Sequence, residues 1–262
     1  MGKRKIAGTI VCRCRDEYGE IIVADDRGHR SLYFGDGVLQ SCIRIDQPDA
    51  LLMDYSQAMM SALLFRDHPE SVLLIGLGGC SLVNFFLKAL PACSVDVVEI
   101  RQQVIDLARD LFLLPGPHAT LKIFPVAGQD FITQRGDECR DYDLILVDAF
   151  DEGGPAATLL EKDFLASCRD RLTDNGIFAM NVWNRPEDRF PSMYARVREV
   201  FGDKTLKLLL GEAYRNAIIF GFNNAAMLHD LPALRPIAKK LRRNYHINFP
   251  RYLKSLYMQN AG

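Results

Sequence analysis

The sequence predicts a doubly wound α/β sheet preceded by a small antiparallel β-domain. Three observations carry this. VLLIGLGG (72–79), VDVVEI (95–100), YDLILVDAFD (142–151) and GIFAMNVW (176–183) are apolar β-type runs, as expected of strands buried on both faces. Helical stretches separate them, and strand–helix alternation implies parallel strands joined by right-handed crossovers. The first three runs also carry their glycines or acids at the C-terminal end, where an open parallel sheet presents a ligand site. The pattern therefore points to a nucleotide-like cofactor.

The elements follow in order. Residues 6–46 read as antiparallel β-structure, with short runs EIIVADD (20–26), RSLYF (30–34) and QSCIRI (40–45). Asp26-Arg27-Gly28 and Gly35-Asp36-Gly37 supply the turns. A helix is expected over 49–66, with Asp49 as N-cap and His68-Pro69 ending it. From Ser71 the alternation begins: strand 72–75, helix 80–89, strand 95–100, helix 101–113, strand 120–126 and a short helix 129–134. It continues with strand 143–148, helix 161–172, strand 176–182 and helix 191–201. Two last β-runs, 205–210 and 217–222, are close enough to pair antiparallel. A closing antiparallel strand points to the methyltransferase variant of the Rossmann-like fold rather than to a dehydrogenase. The expected domains are 1–48 (β-domain), 49–224 (catalytic domain) and 225–262 (basic helical tail).

Composition narrows the class. With 262 residues, 48% hydrophobic and 25% charged, the chain can bury one large core and a smaller one. A net charge of −1 offers no global basic field for nucleic acid. The seven cysteines are scattered without a CxxC pair, which favours reduced thiols. The apolar stretch at the N-terminus is too short for a signal h-region, and no run is long enough to span a membrane. A cytoplasmic protein with no membrane or nucleic-acid partner is expected. The tail carries Arg235, Lys239, Lys240, Arg242, Arg243, Arg251 and Lys254, which could meet an anionic partner such as RNA. Leu231, Leu234, Ile237, Ala238 and Leu241 instead mark it as an amphipathic helix with a solvated basic face.

Gly76-Leu77-Gly78-Gly79 follows a buried strand and precedes a helix, so its backbone can approach a ligand and the helix offers free N–H donors. Glu99 closes the next strand, where an acid can accept both ribose hydroxyls. Asp148, Asp151 and Glu152 crowd carboxylates into one strand-end loop. Such crowding raises each acid's pKa unless cations are near. A metal is one reading, but the loop lacks the oxygen ligands and histidines of a metal site. A cationic amine is the other: carboxylates would hold ammonium groups, orient a nitrogen and accept its proton. An exposed acidic loop stays open for Glu152. Tyr55 and Tyr214 could form aromatic walls or simply pack, and Gln40 could reach a ligand from the β-domain. The five histidines are dispersed, and no Ser/His/Asp set supports a hydrolase.

Taken together, DGVLQ (36–40), Tyr55, IGLGG, VVEI, VDAFDEGGPA (147–156) and LLEKDFLASCRDRLTDNGIF (159–178) resemble the spermidine synthase family, the polyamine aminopropyltransferases. The resemblance spans roughly 18–224. It implies a class I S-adenosylmethionine methyltransferase-like catalytic domain, usually in a dimer. It also implies aminopropyl transfer from decarboxylated S-adenosylmethionine to a small amine, with methylthioadenosine as the second product. Carried across, it gives Gln40, the loop Gly76, Gly78 and Gly79, Glu99 and Gln129 to the donor, Asp148 to catalysis, and Asp151, Tyr55 and Tyr214 to the acceptor. No metal is implied. The chain departs from the family at Gly79, where the family has an aspartate that holds the donor's ammonium. It departs again near Ala127-Gly128-Gln129, where an acid beside the adenine is replaced and Asp130 is displaced. Losing one carboxylate favours the less cationic S-adenosylmethionine, since a charge at ~4 Å is worth roughly 1–4 kcal/mol. Methyl transfer and a non-catalytic nucleoside- or polyamine-binding role are the alternatives.

Overall fold

The computed structural model describes residues 6–35, 37–134, 140–151, 154–155, 157–184, 189–211 and 216–260. The N-terminal sheet contains β1 (Thr9–Asp16), β2 (Gly19–Asp26), β3 (His29–Phe34) and β4 (Val38–Arg44), ordered as in the chain. Each neighbour pair is antiparallel. β1 was not among the runs singled out in the sequence. Its Ile10 and Val11 are exposed while Cys12 and Cys14 pack on the core, so its alternation is blurred. A register shift between Ile10 and Cys12 accompanies the change of face.

The helix expected over 49–66 is much shorter. α1 spans Asp54–Met59 and runs on as a 3-10 turn over Met60–Leu64. Asp49 does not cap it: Met53 holds the N-cap position without a side-chain hydrogen bond. Side chains inside the helix reach back to the extended chain before it. Ser56 Oγ donates to the Met53 carbonyl at 2.8 Å, and Gln57 Nε2 to that of Leu51 at 2.8 Å. Leu51 is buried in this extended form, which removes any need to begin the helix earlier.

The alternating region follows the expected order. It runs β5 (Ser71–Ile75), α2 (Ser81–Ala89), β6 (Ser94–Val98), α3 (Gln102–Asp110), β7 (Leu121–Phe124), α4 (Gly128–Thr133) and β8 (Tyr142–Val147). Two short strands, β9 (Phe150–Asp151) and β10 (Gly154–Pro155), form a small ribbon before α5 (Lys162–Asp170). β11 (Leu172–Trp183), α6 (Arg189–Phe201), β12 (Thr205–Leu209) and β13 (Asn216–Phe222) complete the domain. The seven-stranded sheet is ordered β12-β13-β11-β8-β5-β6-β7. β13 is antiparallel to both neighbours, while the strands from β11 to β7 are parallel. This is the Rossmann-like sheet, closed by an antiparallel strand, that the sequence predicts.

Period-two alternation divides the sheet residues between two cores. Val72, Leu74, Val95, Val97, Leu144 and Leu146 face the core shared with the N-terminal sheet and the tail. Leu73, Ile75, Val98, Ile145 and Val147 face α5 and α6. The strands are therefore apolar on both faces, which leaves polar chemistry to their ends.

The tail holds two helices, α7 (Arg235–Tyr245) and α8 (Phe249–Asn260). α8 ends against the outer edge of β12. Asn260 accepts from Lys207 N at 3.0 Å and donates to the Lys207 carbonyl at 2.9 Å. Gln259 does the same for Leu209, at 2.7 and 3.1 Å. Among the described residues, no helix is long and apolar enough to cross a membrane.

Candidate active site

A cleft of about 400 Å³ opens at the carboxyl ends of β5, β6 and β8, roofed by β4 and α1. Glycines shape its floor. Gly76 has φ +103° and Gly78 φ +51°, values that side-chain-bearing residues rarely adopt. A Cβ at Gly76 would collide with the Asp148 carbonyl, so this glycine lets the loop lie against the end of β8. The backbone joins the two: Asp148 N donates to the Ile75 carbonyl at 2.9 Å.

Gly76 and Gly78 line the cleft, whereas Gly79, grouped with them from the sequence, does not. A Cβ there would stand 2.8 Å from Ser41 Oγ and 2.9 Å from the Phe112 ring. Close packing between the β-domain and α3's exit fixes this residue as glycine. The loop then turns through Cys80, which is left-handed at φ 62° and fully buried.

Glu99 reaches the floor from the end of β6 and is 8% exposed. Its carboxylate accepts from Leu77 N at 3.0 Å and from Arg101 N at 2.9 Å. Burial pushes its pKa above the usual range, and these N–H donors pull part of the way back. Each oxygen keeps a lone pair for a ligand hydroxyl.

Asp148 stands beyond β8 at the opposite wall. Its Oδ1 accepts from Asn181 Nδ2 at 2.8 Å, and the Tyr55 hydroxyl also bears on the carboxylate. Tyr55 is buried, and its hydroxyl lies 3.1 Å from the Gln40 carbonyl. Burial raises the Asp148 pKa to about 6, with Asn181 and Tyr55 pulling it down. Among the described residues, burial is the cause of the shift; the side chain of Asp151 and Glu152, the neighbouring acids invoked from the sequence, lie outside them. At neutral pH the group is an ionised but basic carboxylate, matched to accepting a proton.

Gln40 and Gln129 also line the cleft. Among the described residues, the Gln40 amide makes only a long 3.4 Å contact to its own strand, and Gln129 Oε1 is buried without a partner. Tyr214 and the side chain of Asp151 lie outside the described residues.

Four contributors escaped the sequence reading. Asn181 and Asn216 form a relay behind Asp148, the second amide donating to the first at 3.0 Å. Asn181 is the polar residue inside the apolar run GIFAMNVW, which was the available signal. Trp183 packs on Phe150 with ring centroids 5.7 Å apart, closing the Asp148 end. Arg101 lines the Glu99 end and is held by Asp16 of β1 at 2.9 and 2.7 Å, with its guanidinium 4.3 Å over the Phe34 ring.

Known proteins agree with this architecture. A family model for the spermine/spermidine synthase domain matches residues 53–205. A polyamine aminopropyltransferase of Neisseria meningitidis is 32% identical over 246 residues, covering 94% of this chain and 92% of the relative. Among solved structures, a probable spermidine synthase from Corynebacterium glutamicum superposes with TM-score 0.72 at 21% identity, over 91% of this chain and 88% of that one. Human methyltransferase-like protein 13, in complex with SAH, superposes with TM-score 0.67 at 25% identity, over 74% of this chain and 93% of that one. The sheet order, the cleft and the sequence match lead to one conclusion: this chain belongs to the spermine/spermidine synthase family of transferases.

Proposed function

We propose that the protein is a polyamine aminopropyltransferase, moving an aminopropyl group from a sulfonium nucleoside to a small amine. The observation that carries this is Asp148, a buried carboxylate with raised basicity across the cleft from Glu99. Glu99 would take the donor's ribose hydroxyls. The loop at Gly76 and Gly78 would let the nucleoside approach the backbone. Asp148 and Tyr55 would orient the amine nitrogen toward the donor carbon next to sulfur. The nitrogen lone pair forms the new C–N bond as the C–S bond breaks, and sulfur keeps that electron pair as a neutral thioether. The nitrogen's proton passes to Asp148. The products are the extended amine and methylthioadenosine.

The likeness to the Neisseria aminopropyltransferase supports this reading. It includes a cytoplasmic location and a homodimer, for which the outer strands β1 and β4, each with one sheet neighbour, offer edges. Methyl transfer from S-adenosylmethionine is the second reading, favoured by the likeness to the human methyltransferase. The test is incubation with decarboxylated S-adenosylmethionine and α,ω-diamines, with the released nucleoside separated by chromatography. Methylthioadenosine release, reduced about 10²–10⁴-fold in Asp148→Asn, is expected. Formation of S-adenosylhomocysteine from S-adenosylmethionine, without methylthioadenosine from either donor, would sink it.

A further inference from the structure

The tail holds a second cavity, separate from the substrate cleft and of similar size. It measures about 460 Å³ and lies between α7, α8 and the 3-10 turn Leu231–Leu234. No residue lines both cavities. Leu231, Ala238 and Leu253 form its floor, and none of them is more than 8% exposed. Met258 carries the apolar surface out to the edge, where it is 65% exposed. A hollow of this order, apolar inside with a few polar groups at its mouth, has the anatomy of a small-molecule site.

The mouth is cationic. Arg235 and Lys239 border it from α7 and Lys254 from α8, all three exposed. Elsewhere in the tail, Lys240 is paired with Asp67 at 3.0 Å and Arg251 with Asp54 at 3.2 Å. The three cations at the mouth have no ion pair among the described residues. The one acidic side chain of the tail, Asp230, accepts from the Ala233 amide at 3.1 Å. An exposed lysine needs only water, but three unpaired cations from two helices around one apolar hollow match a ligand with an anionic head and an apolar body.

We infer that this groove binds a free aliphatic carboxylate, its chain along the floor and its head group among Arg235, Lys239 and Lys254. Charge and shape disfavour the other occupants. A second copy of the chain would set this basic mouth against itself across a two-fold axis. A membrane would need apolar groups that protrude, whereas the floor is recessed. An RNA would meet the cations and leave the floor empty.

The test titrates dodecanoate, below its micelle-forming concentration, into the full-length protein by calorimetry. One dodecanoate per chain is expected. It should bind on the order of tenfold more tightly than decanoate, since each buried methylene contributes roughly fourfold. The dodecyltrimethylammonium cation should not bind, and methylthioadenosine should not displace dodecanoate. Lys239→Glu/Lys254→Glu should weaken binding by a factor on the order of ten. Arg242→Glu/Arg243→Glu, at two exposed residues of α7 that do not line the groove, should leave it unchanged. Thermal unfolding checks that both double variants stay folded. No binding, indifference to chain length, equal loss in the two double variants, or displacement by methylthioadenosine would overturn the inference. Binding of phosphatidylglycerol vesicles or of RNA in place of dodecanoate would overturn it too, and would give this face to a membrane or a nucleic acid.

Discussion

Asn181 Nδ2 donates to Oδ1 of Asp148 at 2.8 Å, and its own Oδ1 accepts from Asn216 at 3.0 Å. The second bond fixes the first amide's orientation, since a flipped Asn181 would set two donors against each other. Asn181 sits on β11, buried to 2% exposure, next to the β8 end that carries Asp148. The parallel pairing of these strands thus tunes a side chain in the cleft.

Removing that bond should move the pH profile. Asn181 pulls the Asp148 pKa down against the upward push of burial. Asn181→Leu therefore raises it further, by roughly a unit. The proton acceptor must be ionised, so the acid limb of kcat/KM shifts to higher pH while the plateau above it is largely retained. Tyr55→Phe should move the limb the same way. A limb unmoved in Asn181→Leu would mean that Asp148 does not govern the acid side.

Asp148 itself should cost stability. Its folded pKa of about 6 lies above the ordinary carboxylate range, so between about pH 4 and 6 the folded state keeps a proton that the unfolded state has released. Stability falls as pH rises through that window and stays lower above it. Asp148→Asn removes the fall and should gain on the order of 1–3 kcal/mol at pH 7.5 while losing turnover. At pH 4 the two proteins should converge. Urea denaturation at both pH values measures this, and a variant less stable at pH 7.5 would refute it.

Much of this was legible because parallel strands, buried on both faces, write continuous apolar runs with their polar residues at the ends. Gly76, Glu99 and Asp148 could be placed at one sheet edge from that rule alone. α1 was misjudged because Leu51 and Met53 fit a helical period yet pack as extended chain, and Gln57 and Ser56 satisfy the carbonyls before the helix. The position of Gly79 was illegible for another reason. Whether a glycine faces ligand or core depends on Ser41 and Phe112, both distant in sequence. The Asn181–Asn216 relay depends likewise on which strands become neighbours.

The Arg101–Asp16 pair should hold the β-domain to the catalytic domain. Their side chains are 7% and 11% exposed, and Arg101 also donates to the Gly19 carbonyl at 3.2 Å. Burial pushes the Asp16 pKa up, but Arg101 and the Tyr18 amide more than offset this, leaving it below the usual range. A depressed folded pKa contributes stability above the unfolded value, and this is lost as pH falls through the folded one. Arg101→Met strands a buried carboxylate and should cost about 3–5 kcal/mol. The double variant Arg101→Met/Asp16→Leu should cost less than Arg101→Met alone. Equal or additive losses in thermal unfolding would show that the pair is not coupled.

The tail's last turn should protect an edge strand. β12 is the outermost strand, and its Lys207 and Leu209 backbones are each bonded twice by the amides of Asn260 and Gln259. These side chains imitate a neighbouring strand. Without them the strand would present free N–H and C=O groups to another chain. Replacing both by alanine breaks the four bonds to β12, and the bond from Asn260 to the Leu256 carbonyl with them; water can partly replace all of these, for a cost of about 2–4 kcal/mol. Tyr257→Ala, a change on the same helix at a half-exposed residue, serves as the control. The double variant should melt lower and scatter more light on warming, while the control behaves as the parent does. Unchanged melting and scattering in the double variant would show that the amides only decorate an edge that is stable without them.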